Sequence, residues 1–243
     1  MRLCLCNSLA AIHQLRARRF AILASGWALG LAVAYASPAS AIGAPPPHPP
    51  AILRPTAVKL YVHRDIADTR FLADLERRLR TRLQPAVATL PASFDFSALR
   101  RFGKLDAQRL IDGLIAGTNW DQNKGAIHVF LIKDDMRLPP ARFNFAVSAG
   151  SALTPHHVIV VSLARLQETR FFDSQTDTNP VRTATRAYKM VAKNTAKVAG
   201  YAGSNACLFS FPRNLAELDA MPEGYCEPDL SALITAGVAR PVK

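Results

Sequence analysis

Lys189, Lys193 and Lys197 recur at every fourth position, so a helix through them carries three ammonium groups in one row. At neutral pH an ammonium is a triple donor with no lone pair. It suits a carboxylate, an anionic peptide terminus or an acidic polysaccharide, and it repels a metal cation. Such a row is ordinarily a solvated helix face; lining a cleft, it is an anion site. The other groups with chemical capacity are scattered. His63, His128 and the pair His156-His157 lie on or near short apolar runs. Adjacent residues of an extended chain point to opposite faces, so His156 and His157 do not chelate together and read as ordinary strand-end residues. Ser162 lacks a nucleophile-elbow context, no Gly-rich phosphate loop follows a strand, and no Ser-His-Asp set can be argued.

Whatever these residues do, they do it in a chain of 243 residues with a formal net charge of +12. Its 49% hydrophobic and 20% charged residues exclude a disordered polymer and a collagen-like repeat. Arg16, Arg18 and Arg19 precede an apolar stretch from Phe20 to Ala36, followed by Ser37, Pro38 and Ala39-Ser40-Ala41. This is the order of a secretory signal, with cleavage expected after Ala41 and a periplasmic or extracellular destination. Gly26 and Gly30 interrupt the apolar stretch, which is short for a membrane span. An uncleaved anchor is the alternative, and Arg18-Arg19 leaves the export route, general or twin-arginine, open. Residues 42–55 include the run APPPHPP from Ala44 to Pro50, a stiff polyproline spacer, so one domain is expected over 56–243. Loss of residues 1–41 removes four arginines and no acid, lowering the charge from +12 to +8. It also removes Cys4 and Cys6. Cys207 and Cys226 then remain, and in an oxidising compartment they are expected to pair. The basic residues are spread over helices without a nucleic-acid module, and attraction to anionic envelope surfaces accounts for the charge more simply.

The elements that must position these groups alternate. Val58–Val62 reads as a short strand. Leu72, Leu75, Leu79 and Leu83 recur at helical spacing, with Arg77, Arg78, Arg80 and Arg82 on other faces. A second helix is expected from about Leu105 to Ala116, stopping at Gly117. Ile127–Ile132 and Val158–Val161 read as buried strands. A third helix opens at Asn179-Pro180, a cap followed by a first-turn proline, and runs to Ala199 before Gly200. The three lysines lie on it. Beyond Gly200 the chain is loop-rich, with a short helix around Leu215–Ala220. Strands alternating with helices imply an α/β layer with a mixed sheet.

Several segments together resemble the archaemetzincin family of zinc-dependent proteases. Asp106-Ala107-Gln108-Arg109-Leu110 looks like the approach to that family's second helix. Asp134-Asp135-Met136-Arg137-Leu138-Pro139 with Phe143-Asn144-Phe145-Ala146 looks like its edge-strand region, and Val160–Leu166 like the strand that follows. Arg186 and Lys189 match its active-site helix, Cys207–Asp219 the segment after the metal, and Tyr225-Cys226 its closing Phe-Cys. The similarity spans roughly residues 56–229 and implies a metzincin-like single domain, a mixed twisted sheet packed on helices with a loop-rich C-terminal part.

The family's signature is H-E-x-x-H-x-x-G-x-x-H, in which three histidines hold zinc and the glutamate takes a proton from zinc-bound water. Aligned on Gly200, this chain reads K-N-T-A-K-V-A-G-Y-A-G. Lys193, Lys197 and Gly203 stand at the ligand positions and Asn194 at the base. The methionine usual beneath the zinc aligns with Phe209. Of the family's second, four-cysteine zinc site, Cys207 and Cys226 match two positions, while Ser204 and Asp229 sit near the others; a disulfide can replace its cross-linking role. The resemblance with these losses implies an exported pseudo-metalloprotease, with no cofactor, that binds a peptide or an anionic envelope component. The expected cleft residues are Phe143, Asn144, Phe145, Lys193, Asn194 and Lys197. Nucleic acid is not expected as a partner, nor a membrane span after cleavage. One alternative is an active zinc metallopeptidase with a relocated metal site. The other is a structural envelope protein without a small ligand.

Overall fold

The computed structural model describes residues 52–66, 68–118, 124–169, 176–177 and 179–241. The expected signal segment and residues 42–51 of the expected spacer lie outside these residues. Along the chain stand β1 (Ala57–His63), α1 (Thr69–Arg82), β2 (Ala86–Ala92), β3 (Arg100–Arg101), β4 (Lys104–Asp106) and α2 (Ala107–Gly117). There follow β5 (Ala126–Ile132), β6 (Met136–Arg137), β7 (Ala146–Ala149), β8 (Val158–Ser162), β9 (Glu168–Thr169), β10 (Thr176–Asp177), α3 (Pro180–Val198), α4 (Leu215–Ala220) and α5 (Asp229–Thr235).

The main sheet has the order β2-β1-β5-β8-β7. β1 runs parallel to β2 and β5, and β5 parallel to β8; β7 closes one edge antiparallel to β8, with Ser148 opposite Ile159. β5 and β8 are buried along their whole length because helices cover both sheet faces, which is why they read as continuous apolar runs rather than alternating ones. Alternation still sorts the side chains. Ile127, Val129, Leu131, Ile159 and Val161 join Phe71, Leu75 and Leu79 of α1 and the apolar face of α3 in the larger core. Phe130, Ile132, Val158 and Val160 join Leu110, Ile111 and Leu114 of α2 in the smaller one. The chain is thus a mixed α/β layer with a twisted sheet between helices, as the sequence implies.

Three differences have local causes. Leu105 belongs to β4 rather than to α2, because Asp106 caps that helix by accepting from the Arg109 N–H. β2 was not expected from its sequence: it is an exposed edge strand containing Pro91, a place where a missing N–H costs nothing. The fold also starts slightly before Thr56. The Leu53 N–H donates to Ala199 O at the end of α3, and Ile52 and Leu53 pack on the core.

Candidate functional site

α3 is capped by Asn179, whose side chain accepts from the Arg182 N–H, with Pro180 in the first turn. It leaves through Gly200 at φ 97°. Unlike α1, which buries one stripe, α3 is buried around most of its circumference from Thr183 to Val198. One side faces the sheet and α1. The other is wrapped by the chain from Cys207 to Tyr225. This wrapping decides the fate of the lysine row.

Lys189 is 2% exposed and donates to Leu218 O at 2.8 Å and Asp219 O at 3.0 Å. These carbonyls belong to the last turn of α4, where no intrahelical donor is available, and a cation there also meets the negative end of the helix. Lys193 is 4% exposed; its Nζ donates to Ser210 O at 2.5 Å and lies 5.3 Å from the centre of the Phe211 ring. Loss of hydration, aided by the nearby Lys197 charge, pulls the Lys193 amine down to about 8. Lys197 is exposed. The row is therefore not a solvated face: two of its members serve as internal donors to carbonyls and the third reaches solvent. One turn before Lys189, the buried Arg186 grips Asp219 through Nε and Nη2 at 2.6 and 2.5 Å and gives Nη1 to Leu166 O at 2.7 Å. That bidentate bond holds the Asp219 carboxyl below the usual carboxylate range.

Asn194 returns its amide N–H to Met190 O at 2.8 Å and accepts the Ser148 hydroxyl at 2.9 Å. It is a clamp between α3 and edge strand β7. Gly203 has φ +75°, and a Cβ there would lie 2.4 Å from the Phe209 ring. Phe209 is buried, with Tyr201 and Tyr225 ring centres at 5.6 and 5.4 Å. The Tyr225 hydroxyl donates to Ala192 O at 2.7 Å. An aromatic plug thus fills the space between Gly203 and α3.

Cys207 and Cys226 are joined in a disulfide, with Cα atoms 5.8 Å apart. Beside that segment Asp229, 2% exposed, accepts the Tyr201 hydroxyl at 2.8 Å and the Ser204 hydroxyl and N–H. Ser204 and Asp229 are therefore bonded to each other, and the four positions that resemble a cysteine zinc site hold one disulfide and one hydrogen-bonded pair.

Of the remaining expected cleft residues, one is buried and two are half-buried. Phe145 is 7% exposed and belongs to the larger core. Asn144 accepts the Leu138 N–H at 2.6 Å through its side chain, and Phe143 carries the Arg165 guanidinium 5.1 Å above its ring. They shape the entry to β7, while Asn194 and Ser148 meet at the strand itself. Ser148, Ser210 and Phe211 were not expected from the sequence; only the position of Ser148 on a short alternating strand could have pointed to it. His128 lies fully buried on the α2 side of the sheet, stacked 5.6 Å from Tyr61, and burial holds its imidazole down to about 4. His157 is buried with Nε2 2.9 Å from Ser151 O, and His63 Nε2 is 3.1 Å from Phe94 O. The Ser162 hydroxyl is buried and donates to Asp134 O at 2.6 Å. No group of three or more His, Cys, Asp or Glu residues is gathered to hold a metal among the described residues.

A parallel sheet with one antiparallel edge strand, a long helix beside that strand and a C-terminal segment wrapped under the helix make an archaemetzincin-like fold. Three solved structures support it. The archaemetzincin of Methanopyrus kandleri has 19% identity and a TM-score of 0.54, covering 75% of this chain and 97% of its own. A zinc-dependent peptidase of Methanocorpusculum labreanum has 18% identity and a TM-score of 0.57, covering 73% and 100%. The archaemetzincin of Archaeoglobus fulgidus, complexed with malonate, has 15% identity and a TM-score of 0.52, covering 71% and 98%. No protein-family model and no curated protein matches the chain. The residues at the positions resembling the zinc motif do not fit the ion. Lys193 offers N–H donors already turned to a carbonyl, Asn194 is bonded to Ser148 and Met190 O, and Gly203 has no side chain and lies under Phe209.

Proposed function

We propose that this chain is a binding protein on a metallopeptidase fold, without zinc-dependent hydrolysis, and that it holds an extended acidic peptide along the outer edge of β7. The supporting observation is that Asn194 ties that edge to α3 at Ser148, three residues before the exposed Lys197. β7 bonds β8 on one side only, so its other side offers main-chain donors and acceptors to an added strand. Asn194, bonded to Ser148 of β7, fixes the strand against α3, and exposed Lys197 stands one turn beyond Lys193. A carboxylate on the added strand finds a cation there, and Lys193, still protonated at neutral pH, adds to the field. The expected segment 1–41 supports export to an envelope or extracellular setting, where anionic components are common partners.

The test is calorimetric titration of the protein with a six-residue peptide carrying two acidic side chains and a free C-terminal carboxylate. A dissociation constant in the micromolar range is expected, with loss of about five- to ten-fold in affinity for Lys197→Ala and no binding of a lysine-rich peptide of the same length. One equivalent of zinc per chain with chelator-sensitive cleavage of that peptide would overturn the reading in favour of a relocated metal site. Equal indifference to both peptides would leave a structural role.

A further inference from the structure

β3 and β4 form a hairpin, Arg100 opposite Leu105 and Arg101 opposite Lys104, whose two-residue turn is Phe102-Gly103. Both turn residues have positive φ, 51° and 77°. Such a turn suits strand twist but asks for Asn, Asp or Gly at its first position. A bulky residue there is strained, and strain of this kind marks positions where something other than local folding sets the residue. Phe102 gains nothing from the fold in return: its side chain is 96% exposed.

The surroundings of Phe102 are apolar and cationic together. Leu138 is 36% exposed, Pro139 and Pro140 are exposed, and Phe102, Arg101, Arg137 and Pro139 line one crevice of about 190 Å³. Lys104 ties this hairpin to the neighbouring loop by donating to Arg142 O at 2.8 Å. Some of the cations here have carboxylates: Arg100 pairs with Asp134, and Lys104 and Arg165 with Asp135. Asp106, at the crevice wall, is engaged as the cap of α2. Others around the crevice do not. Arg101 beside the turn, Arg137 opposite Asp106 and Arg142 on the neighbouring loop are exposed and have no ion-pair partner among the described residues.

We propose that this crevice and its rim are a membrane-docking surface, in which Phe102 and Leu138 enter the interface of a bilayer while Arg101, Arg137 and Arg142 meet anionic headgroups. An exposed aromatic residue with arginines around its crevice matches the two requirements of interfacial binding, apolar insertion and attraction to surface charge. Neither half suffices alone. A soluble polyanion gives Phe102 nothing to enter, and a neutral bilayer gives the arginines no counter-charge. The test below reads lipid contact and not peptide binding, so the proposal stands or falls apart from the peptide-binding reading.

The experiment places a reporter at the tip of the whole chain. Phe102→Trp keeps an aromatic residue at the same exposed position, and subtracting the parent protein's emission removes Trp27 and Trp120. With vesicles containing 30% brominated phosphatidylglycerol, the residue-102 signal is expected to shift to shorter wavelength and fall at least two-fold. Brominated phosphatidylcholine alone should leave it unchanged. Arg101→Glu with Arg137→Glu on the same background should restore the unquenched signal, and 0.5 M salt should do so in part. An unquenched signal on phosphatidylglycerol, or equal quenching on both lipids, overturns the proposal. So does a response to a soluble polyanion such as an oligonucleotide that exceeds the response to vesicles. Far-ultraviolet circular dichroism of each variant separates these outcomes from misfolding.

Discussion

At the residue scale the surprise is how many charged or titratable groups the fold encloses and how each is answered. The lysine row is periodic in the sequence, and periodicity alone describes a solvated face. Burial of Lys189 and Lys193 depends on carbonyls of Leu218, Asp219 and Ser210, which no local pattern announces. Their environment has a measurable signature. The Lys193 amine titrates near 8 in the folded chain against 10.5 ordinarily, so between those values the unfolded chain binds more protons and stability rises with pH. Lys193→Met, which keeps the length and removes the charge, should flatten this limb. The urea midpoint of the parent should climb relative to that of the variant from pH 8 to 10, by at most about 1.4 kcal/mol per pH unit. Parallel curves would mean the amine is hydrated. His128 gives the opposite flank. Its imidazole is held to about 4 by burial first, then by the Lys59 and His157 charges. The unfolded chain takes up the proton near 6.5, so stability should fall as pH drops from 6.5 toward 4. His128→Phe should lose that slope, read as unfolding midpoints at pH 4.5, 5.5 and 7.

At the scale of elements, legibility followed exposure pattern and capping. α1 and α3 were readable because Leu75 and Leu79 repeat at helical spacing and because Asn179-Pro180 and Gly200 mark the ends. β5 and β8 were readable as apolar runs. β2 and the β3–β4 hairpin were not, since edge strands bury few side chains and Phe-Gly is a poor turn signal; the edge region at β7 was legible only through resemblance. The candidate site was legible only through resemblance: Asn194 and Gly203 were located by motif, but their partners Ser148 and Phe209 come from the tertiary fold. The glycine makes a firm prediction. Gly203→Ala places a methyl 2.4 Å from the Phe209 ring at φ +75°. It should cost on the order of 2 kcal/mol or more, from overpacking and left-handed strain together. Gly203→Ala with Phe209→Leu, which opens the ring's volume, should recover part of the loss in denaturant unfolding. No recovery would place the whole cost in the backbone.

The whole molecule is held by an arrangement in which the chain after α3 must stay folded beneath it. Tyr188, Lys189, Ala192 and Lys193 of α3 all bond to residues between Ser210 and Tyr225. Few regular elements stabilise that stretch, and α4 has only six residues. The Cys207–Cys226 disulfide spans it, with a sequence separation of 19. A closed loop of that length limits the unfolded chain by about 3 kcal/mol in the chain-entropy picture. The buried Asp229, bonded to Ser204 and Tyr201, anchors the start of α5 to the same region. Opening the disulfide should therefore loosen the floor under α3 before it loosens the sheet. Hydrogen exchange of the Cys207→Ser, Cys226→Ser double variant should show amides of 207–226 losing protection first, with β5 and β8 retaining theirs. The urea midpoint should fall by an amount worth about 3 kcal/mol, and peptide mapping of the unreduced parent should find the two cysteines in one cross-linked fragment. Uniform loss of protection across sheet and floor would show instead that the two unfold as one unit.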